Sequence, residues 1–210
     1  MQKEQSAVQR GRPREFDADL ALDRALEVFW RKGYEGTSIS ELTDAMGINR
    51  PSLYAAFGNK EELFRKALDR YTQGPAASAY EALDEPTARA AAERLLRGAA
   101  DALTDPHKPH GCLGVLGALS CGDAAASIRE EVCSRRAAWQ AALQRRFERA
   151  RKDGDLPEDA DSADLAQYVA TVAQGMAVQA VGGATRKQLR KVADLALRAW
   201  PTGRQVGAHL

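Results

Sequence analysis

The chain has 210 residues, of which 44% are hydrophobic and 28% charged, so it can bury a core and has an ordinary globular composition. Its 17 glycines and 8 prolines are too few for a fibrous or disordered chain. The formal net charge is only +1, and residues 1–66 carry equal numbers of basic and acidic side chains. Charge alone therefore gives no indication of nucleic-acid binding.

The cysteine content and hydropathy point to a cytoplasmic protein. Cys112, Cys121 and Cys133 show no paired spacing, which argues against a disulfide framework and favours a reducing compartment. No apolar run approaches the ~20 residues that a membrane helix needs. The polar, basic segment 1–14 lacks the apolar centre of a secretory signal. We therefore expect a cytoplasmic location and no membrane partner.

The predicted secondary structure is all-α, with about nine helices, because alternating β-branched patterns are missing and Ala, Leu, Arg and Glu dominate. Glycine, proline, asparagine and aspartate mark the boundaries. In chain order, the predicted helices span 17–32, 39–46, 50–57, 60 to the Gly74-Pro75 break, and then about 87–103, 112–120, 124–152, 162–181 and 185–199.

The second to fourth of these helices have the punctuation of a helix-turn-helix. Ser38 and Glu41 form the S-x-x-E pattern of a capping box. Gly47 supplies the positive φ that a tight turn requires. Asn49 can cap the next helix, which tolerates Pro51 in its first turn.

The helix from Arg50 is about two turns long with a polar N-terminal end, as a recognition helix in the DNA major groove requires. Leu53 and Phe57 can face the core, which leaves Arg50, Ser52 and Tyr54 pointing elsewhere. Arg50 can bind guanine O6 and N7, and Ser52 can bind either base type. The Tyr54 hydroxyl can reach a phosphate, although an aromatic at the core edge is the alternative.

Lys60 opens the following helix, where its charge and the free backbone N–H groups can hold a phosphate. Asn59 can cap that helix, with Glu62 at the reciprocal position. Ser38 is first of all a cap, and a phosphate contact there is the second possibility.

These residues resemble the TetR/AcrR family of bacterial regulators over about residues 14–65. The resemblance is carried by 36–42 (GTSISEL), 47–54 (GINRPSLY), Phe57 and 59–63 (NKEEL). It implies an Ω-shaped helical homodimer, a palindromic double-stranded DNA operator and a small-molecule effector that releases the DNA. The DNA-facing positions that it implies are Ser38, Arg50, Pro51, Ser52, Tyr54 and Lys60.

The resemblance also sets the predicted domain organisation. We expect a basic disordered arm at 1–16, a three-helix helix-turn-helix DNA-binding domain at 17–73, a helical ligand-binding and dimerisation domain at 74–200, and a disordered tail at 201–210. In the arm, Arg12 and Arg14 are candidate minor-groove or phosphate contacts, and a solvated tail is the alternative.

The second domain offers candidates for a dimer interface and a ligand pocket. The resemblance implies a four-helix dimer bundle from the last two helices, while ordinary intrachain core is the alternative. The candidate interface residues are Leu165, Val169, Val172, Ala173, Met176, Leu189, Val192 and Ala196. Few polar groups are expected inside, so a largely apolar ligand is predicted. The candidate pocket residues, each with plain core as its alternative, are Leu96, Leu116, Trp139, Leu143, Tyr168 and Met176.

Cys112 follows Gly111 at a predicted helix start, where the helix dipole can lower a thiol pKa. It is a candidate redox or electrophile sensor, with buried packing as the alternative. The sequence thus predicts a DNA-binding regulator, most simply a ligand-released repressor. The alternatives are an activator or ligand-blind DNA-binding protein, a sensor acting through Cys112, and a helical enzyme with a vestigial motif. No catalytic residue, cofactor or metal site is predicted.

Overall fold

The computed structural model describes residues 16–119 and 121–201, which form ten α-helices, two short 3₁₀ helices and no strand. Arg12, Arg14 and the predicted tail beyond Pro201 lie outside the described residues. The first five helices are α1 Ala18–Lys32, α2 Ile39–Met46, α3 Arg50–Phe57, α4 Lys60–Gln73 and α5 Ala77–Glu81. The others are α6 Ala88–Ala102, α7 Leu113–Leu116, α8 Ala126–Lys152, α9 Ser162–Val181 and α10 Arg186–Arg198, with 3₁₀ helices at Ala82–Asp84 and Asp123–Ala125.

The all-α prediction is confirmed, and two helices differ from it. Helix α5 was not predicted, because its five residues are too few for a periodic pattern and it has no capping side chain. Its packing against α6 depends on the tertiary structure. Helix α7 is four residues long, much shorter than the predicted 112–120. Gly114 and Gly117 explain the difference, since glycine in a helix costs about 1 kcal/mol relative to alanine.

Helices α1 to α4 form the first hydrophobic core. Phe29 of α1 and Phe64 of α4 are fully buried, and their rings meet edge to face with centroids 5.0 Å apart. Leu42 of α2 and Leu53 of α3 are also fully buried and belong to the same core. Truncating such a phenylalanine to alanine costs roughly 3–5 kcal/mol, so this core fixes how α2 and α3 sit on α1 and α4.

Helices α6, α8, α9 and α10 form a second core. Ala88, Ala91 and Ala92 of α6 are fully buried, and small side chains of this kind permit close helix approach. Phe147 of α8 and Trp200 pack edge to face at 5.3 Å beyond the end of α10. No helix in the described part of the chain combines the length and apolar character needed to cross a bilayer.

Residues 111–119, here called the junction segment, join the two cores. The indole N–H of Trp30 donates to the carbonyl of Gly111 at 3.0 Å. The backbone N–H of Tyr34 donates to the carbonyl of Gly117 at 2.8 Å. Leu113 of this segment is fully buried within the first core. The first core therefore includes residues from well beyond the predicted domain boundary at position 74.

An ion-pair network, here called the α4–α8 network, links helices α4 and α8 on the surface. Arg65 of α4 donates to Glu131 of α8 at 2.5 Å and to Glu61 at 3.1 Å. Arg135 of α8 donates to Glu131 at 2.8 Å and to Asp69 of α4 at 2.5 Å. Five charged side chains thus connect helices α4 and α8, and the buried Ile128 and Val132 of α8 belong to the first core together with α4.

The junction segment can be tested at Gly111, whose φ is +84°. A Cβ there would lie 2.6 Å from Val181 Cγ2 and 2.7 Å from Leu116 Cδ1. Gly154 is a matched control, since its φ is +79° and nothing lies within 4 Å of its Cβ position. We expect Gly154→Ala to lose about 1–2 kcal/mol of unfolding free energy from backbone strain. Gly111→Ala should lose a further ~1–3 kcal/mol from overpacking.

Urea denaturation of the two variants beside the parent chain measures both losses. Equal losses for the two alanine variants would show that the junction segment tolerates the added methyl group, contrary to the close packing of Val181 and Leu116 around Gly111.

Candidate functional site

The predicted capping box at the start of α2 is present. The N–H of Glu41 donates to Ser38 Oγ at 3.2 Å, and the N–H of Ser38 donates to Glu41 Oε2 at 2.9 Å. The Ser38 hydroxyl also donates to Glu41 Oε2 at 2.9 Å. Ser38 is exposed, so it can meet a phosphate while it caps the helix.

The turn between α2 and α3 forms as its glycine requires. Gly47 adopts φ +71° and ψ +30°, which is the left-handed conformation. Glycine adopts this conformation readily because it has no Cβ to clash with the backbone. Its N–H donates to the carbonyl of Thr43 at 2.9 Å, and the N–H of Ile48 donates to the same carbonyl at 3.1 Å. These bonds end α2 and turn the chain sharply into α3.

Helix α3 presents its polar face to solvent. Asn49 caps it by accepting the N–H of Ser52 at 2.9 Å. Leu53 and Phe57 are buried, which turns Arg50 and Tyr54 outward, and Tyr54 is 49% exposed. About half of the Tyr54 side chain is therefore open to solvent on the outer face of α3. Pro51 is also exposed, and Ser52 is half-buried.

Two exposed alanines of α3 were missed in the sequence. Ala55 and Ala56 follow Tyr54 and are exposed, and Ala55 lies one helical turn after Pro51. Alanine methyl groups can contact the C5-methyl of thymine in the major groove. The four-residue spacing of Leu53 and Phe57 could have identified both alanines. Because these two large residues face the core, the residues between them lie on the outer face of α3.

Lys60 opens α4 beside this face. Its ammonium lies 4.3 Å from the centroid of the Tyr34 ring, within cation–π distance. Burial lowers the pKa of Lys60, and the charge of Glu35 partly opposes this. The predicted cap is also present, since Asn59 accepts the N–H of Glu62 at 2.9 Å. The Tyr34 ring therefore fixes the position of the Lys60 ammonium at the start of α4.

A cavity of about 180 Å³ lies between α4, α5, α6, α7, α8 and α9. Apolar atoms dominate its wall, and Tyr71 and Trp139 contribute aromatic rings. Many other wall residues are small, so they leave space between the helices. These small residues are Ala76, Ala79, Gly98, Ala99, Ala102, Gly114, Ala170 and Ala173.

Of the six predicted pocket residues, only Trp139 lines this cavity. Leu96, Leu143 and Met176 are instead fully buried among the helices of the second core. Tyr168 lies outside the wall, and its hydroxyl donates to the carbonyl of Ala196 at 3.4 Å. Leu116 is half-buried and faces Gly111. The polar wall residues that the sequence did not indicate are Thr72, Ser78, Tyr80, Arg135, Arg136 and Gln174.

Cys112 also lines the cavity, but the predicted lowering of its thiol pKa is wrong. Burial raises the pKa of Cys112, and the smaller opposing effect of its hydrogen bond with Tyr71 does not overcome this. Helix α7 follows Cys112 and has only four residues, too short to supply a strong dipole. Cys112 is therefore held as the protonated thiol.

The chain matches two family descriptions in chain order. Residues 21–67 match "Bacterial regulatory proteins, tetR family", and residues 88–196 match "Tetracyclin repressor-like, C-terminal domain". The second match alone covers more than half of the chain. The chain belongs to the TetR family. It is therefore a DNA-binding transcriptional regulator, and the resemblance found in its sequence is confirmed.

Individual TetR-family proteins extend the likeness to almost the whole chain. The transcriptional repressor ComR of Escherichia coli (strain K12) is 36% identical over 194 residues, covering 91% of this chain and 92% of ComR. The transcriptional repressor BdcR of the same strain is 49% identical over 69 residues, 33% of this chain and 34% of BdcR. A cysteine mutant of the TetR family regulator CifR, solved with 26 bp of double-stranded operator DNA, superposes with a TM-score of 0.87. That structure is 44% identical and covers 91% of this chain and all of its own.

In this TetR-family chain, the predicted interface residues differ in their burial within the protomer. Val169, Met176, Leu189 and Ala196 are buried within the protomer and belong to the second core. Leu165, Val172 and Ala173 are half-buried against that core, and Val192 is exposed. The exposed apolar residues of α9 and α10, here called the α9–α10 face, are Tyr168, Val178, Val181, Val192 and Leu195.

The start of α2 generates a pH prediction. A hydrogen bond from Lys32, followed by that from the Ser38 N–H, lowers the pKa of Glu41 from 4.5 to about 2. A depressed pKa means that the stabilisation is present above pH 4.5 and is lost as the pH falls toward 2. Glu41→Gln keeps a capping amide but removes the charge. We expect the parent chain to be more stable than Glu41→Gln at neutral pH, with the gap narrowing from about pH 5 to pH 3.

Urea unfolding of the parent chain and of Glu41→Gln from about pH 5 to pH 3 measures the difference in their unfolding free energies. A gap independent of pH would contradict the assigned pKa of Glu41, because the two side chains become electrically equivalent only when the carboxyl group is protonated.

Proposed function

We propose that this regulator is a repressor that binds a palindromic operator as a homodimer and releases it when a small molecule occupies the cavity. The observation that carries the DNA contact is the outward face of α3, held by capped helices and a glycine turn. The relatives named as repressors and the neighbour solved on operator DNA support the same function. A cytoplasmic location is part of this proposal.

The proposed DNA contacts divide into base contacts and backbone contacts. Arg50 reaches guanine O6 and N7, and Pro51 and Ser52 lie beside it in the first turn of α3. Tyr54 reaches a phosphate one turn later. Ser38 and Lys60 contact the DNA backbone at the N-termini of α2 and α4, where free N–H groups favour an anion.

The α9–α10 face supports the homodimer. Val178, Val181 and Leu195 are at least half exposed, and all lie on the last two helices. Exposed large apolar side chains that recur on two neighbouring helices are typical of a surface that another protein covers. Two short recognition helices read successive major grooves only when a dimer holds them about 34 Å apart.

Helix α4 supports coupling between the cavity and DNA. Its N-terminus carries Lys60 beside the DNA-reading face, and Leu68, Tyr71 and Thr72 near its C-terminus line the cavity. A ligand that changes the packing at one end therefore changes the position of the other. The coupling free energy equals the difference in ligand affinity between the DNA-bound and free conformations.

Electrophile sensing at Cys112 is not part of the proposal. The thiolate is the reactive form of cysteine, and burial keeps Cys112 protonated. The thiol is instead proposed as part of the cavity wall.

Arg50 tests the DNA contact. With DNA selected from a random library by the parent protein, Arg50→Ala should bind about 5- to 150-fold more weakly, since a bidentate arginine–guanine contact contributes ~1–3 kcal/mol. Arg145→Ala is the control, because Arg145 is exposed on α8 far along the chain from the motif. Fluorescence anisotropy with the selected DNA measures both affinities. Equal affinity of Arg50→Ala and the parent protein would remove Arg50 from the interface.

Leu195 tests the homodimer. Leu195 is 61% exposed on α10, so Leu195→Glu should fold as the parent chain does but place a charge in the proposed interface. We expect a monomer at micromolar concentration in sedimentation velocity, where the parent chain is a dimer. Leu119→Glu is the matched control, since Leu119 is 55% exposed outside α9 and α10. A dimeric Leu195→Glu protein, or a monomeric parent, would refute this interface.

A further inference from the structure

The cavity wall is unbalanced in charge. Among the described residues, two arginines of α8 line the cavity and no aspartate or glutamate does. An apolar pocket with a few convergent polar groups is typical of a small-molecule site, and those polar groups fix the orientation of the ligand. The partners of Arg135 and Arg136 therefore indicate which ligand chemistry the cavity takes.

Arg135 is committed to the α4–α8 network. Its guanidinium lies 2.5 Å from Asp69 and 2.8 Å from Glu131. Both acidic partners lie outside the cavity wall, so the charge of Arg135 is neutralised by carboxylates that do not face the cavity. A ligand that recruited Arg135 would have to break these ion pairs.

Arg136 has no such partner within the part of the chain that the structure describes. Its Nη2 donates to Cys133 Sγ at 3.1 Å, and no described carboxylate lies within ion-pair distance. Sulfur is a weak acceptor, so the guanidinium keeps most of its donor capacity. Arg136 is half-buried, which limits the solvent screening of its charge.

The charge of Arg136 acts on the cavity. The pKa of Cys112 is raised mainly by burial, and Arg136 is among the groups that lower it, together with Tyr71. Cys112 lines the cavity from the junction segment, and Arg136 lines it from α8. The positive charge of Arg136 therefore acts on a group on another part of the cavity wall. Gln174 of α9 adds a neutral amide to the same wall.

The volume of the cavity indicates what size of apolar body it can hold. Its volume of about 180 Å³ is slightly larger than the ~150 Å³ cavities that hold benzene in engineered proteins. Tyr71 and Trp139 offer aromatic surfaces to such a body. A ring, or an aliphatic body of similar size, fits this space.

We propose that the effector of this regulator is a small hydrophobic monocarboxylate, whose carboxylate pairs with Arg136 while a body about the size of a benzene ring packs against Trp139. The inference rests on the proposed ligand-released function and adds the chemical class of the ligand. It is narrower than the apolar ligand expected from the sequence, because it requires one negative charge.

Three probes of nearly equal shape test the charge requirement: phenylacetate, 2-phenylethanol and phenethylamine. At neutral pH they are an anion, a neutral molecule and a cation. Calorimetry on the full chain without DNA should show phenylacetate binding at least about tenfold more tightly than the other two, as a charge-assisted hydrogen bond implies. Equal binding of the three, tighter binding of the alcohol or amine, or no binding of phenylacetate would overturn the proposal.

Variants locate the charge. Arg136→Gln should lose the preference for phenylacetate over 2-phenylethanol, and Arg136→Lys should keep part of it. Arg145→Gln on the same helix should leave all three affinities unchanged. Matching thermal unfolding of the variants shows that each is folded, and an undiminished preference in folded Arg136→Gln would overturn the assignment.

DNA binding is measured separately with the selected DNA. Phenylacetate binding without DNA release would refute the ligand-controlled function but support the assigned ligand class. DNA release by a neutral ligand at the same site would support the function and refute the ligand class.

Discussion

The indole N–H of Trp30 crosses from the first core to the carbonyl of Gly111, and the arrangement of the two cores depends on the segment held by that bond. From Gly111 the junction segment places Cys112 on the cavity wall and Leu113 inside the first core. The carbonyl of Gly117 then receives the N–H of Tyr34, whose ring supports Lys60. A chain of direct contacts thus runs from the cavity to the residue proposed to hold the DNA backbone.

The capped helices and the glycine turn of the DNA-reading motif could be predicted because their determinants are local. Ser38 with Glu41, and Asn59 with Glu62, are each three residues apart, so sequence spacing alone places their partners within reach. Gly47 needs only its own backbone conformation. The position of Lys60 over Tyr34 could not be predicted, since it depends on how α4 packs against the end of α1.

The cavity could not be predicted from large hydrophobic residues. Leu96 and Leu143 fill the space that they reach and so become core. The cavity forms instead where Gly98, Ala99 and Gly114 leave space unfilled. On α9 a similar ambiguity arises, because Met176 faces the core while Val178 faces solvent, and both are apolar. Periodicity identifies a buried helix, but it does not tell an internal face from one that a second protomer covers.

Helix α4 has 14 residues and is therefore about 21 Å long. Because both ends are engaged, it can act as a lever with Tyr71 at one end and Lys60 at the other. A tilt of only about 5° about the cavity end moves the far tip by roughly 2 Å, as follows from that length. In the proposed symmetric homodimer, outward displacements of the two protomers would add, so the spacing of the recognition helices would change by about twice as much. In the proposed homodimer, a small ligand that tilts α4 by this amount would therefore move the two recognition helices out of register with successive grooves.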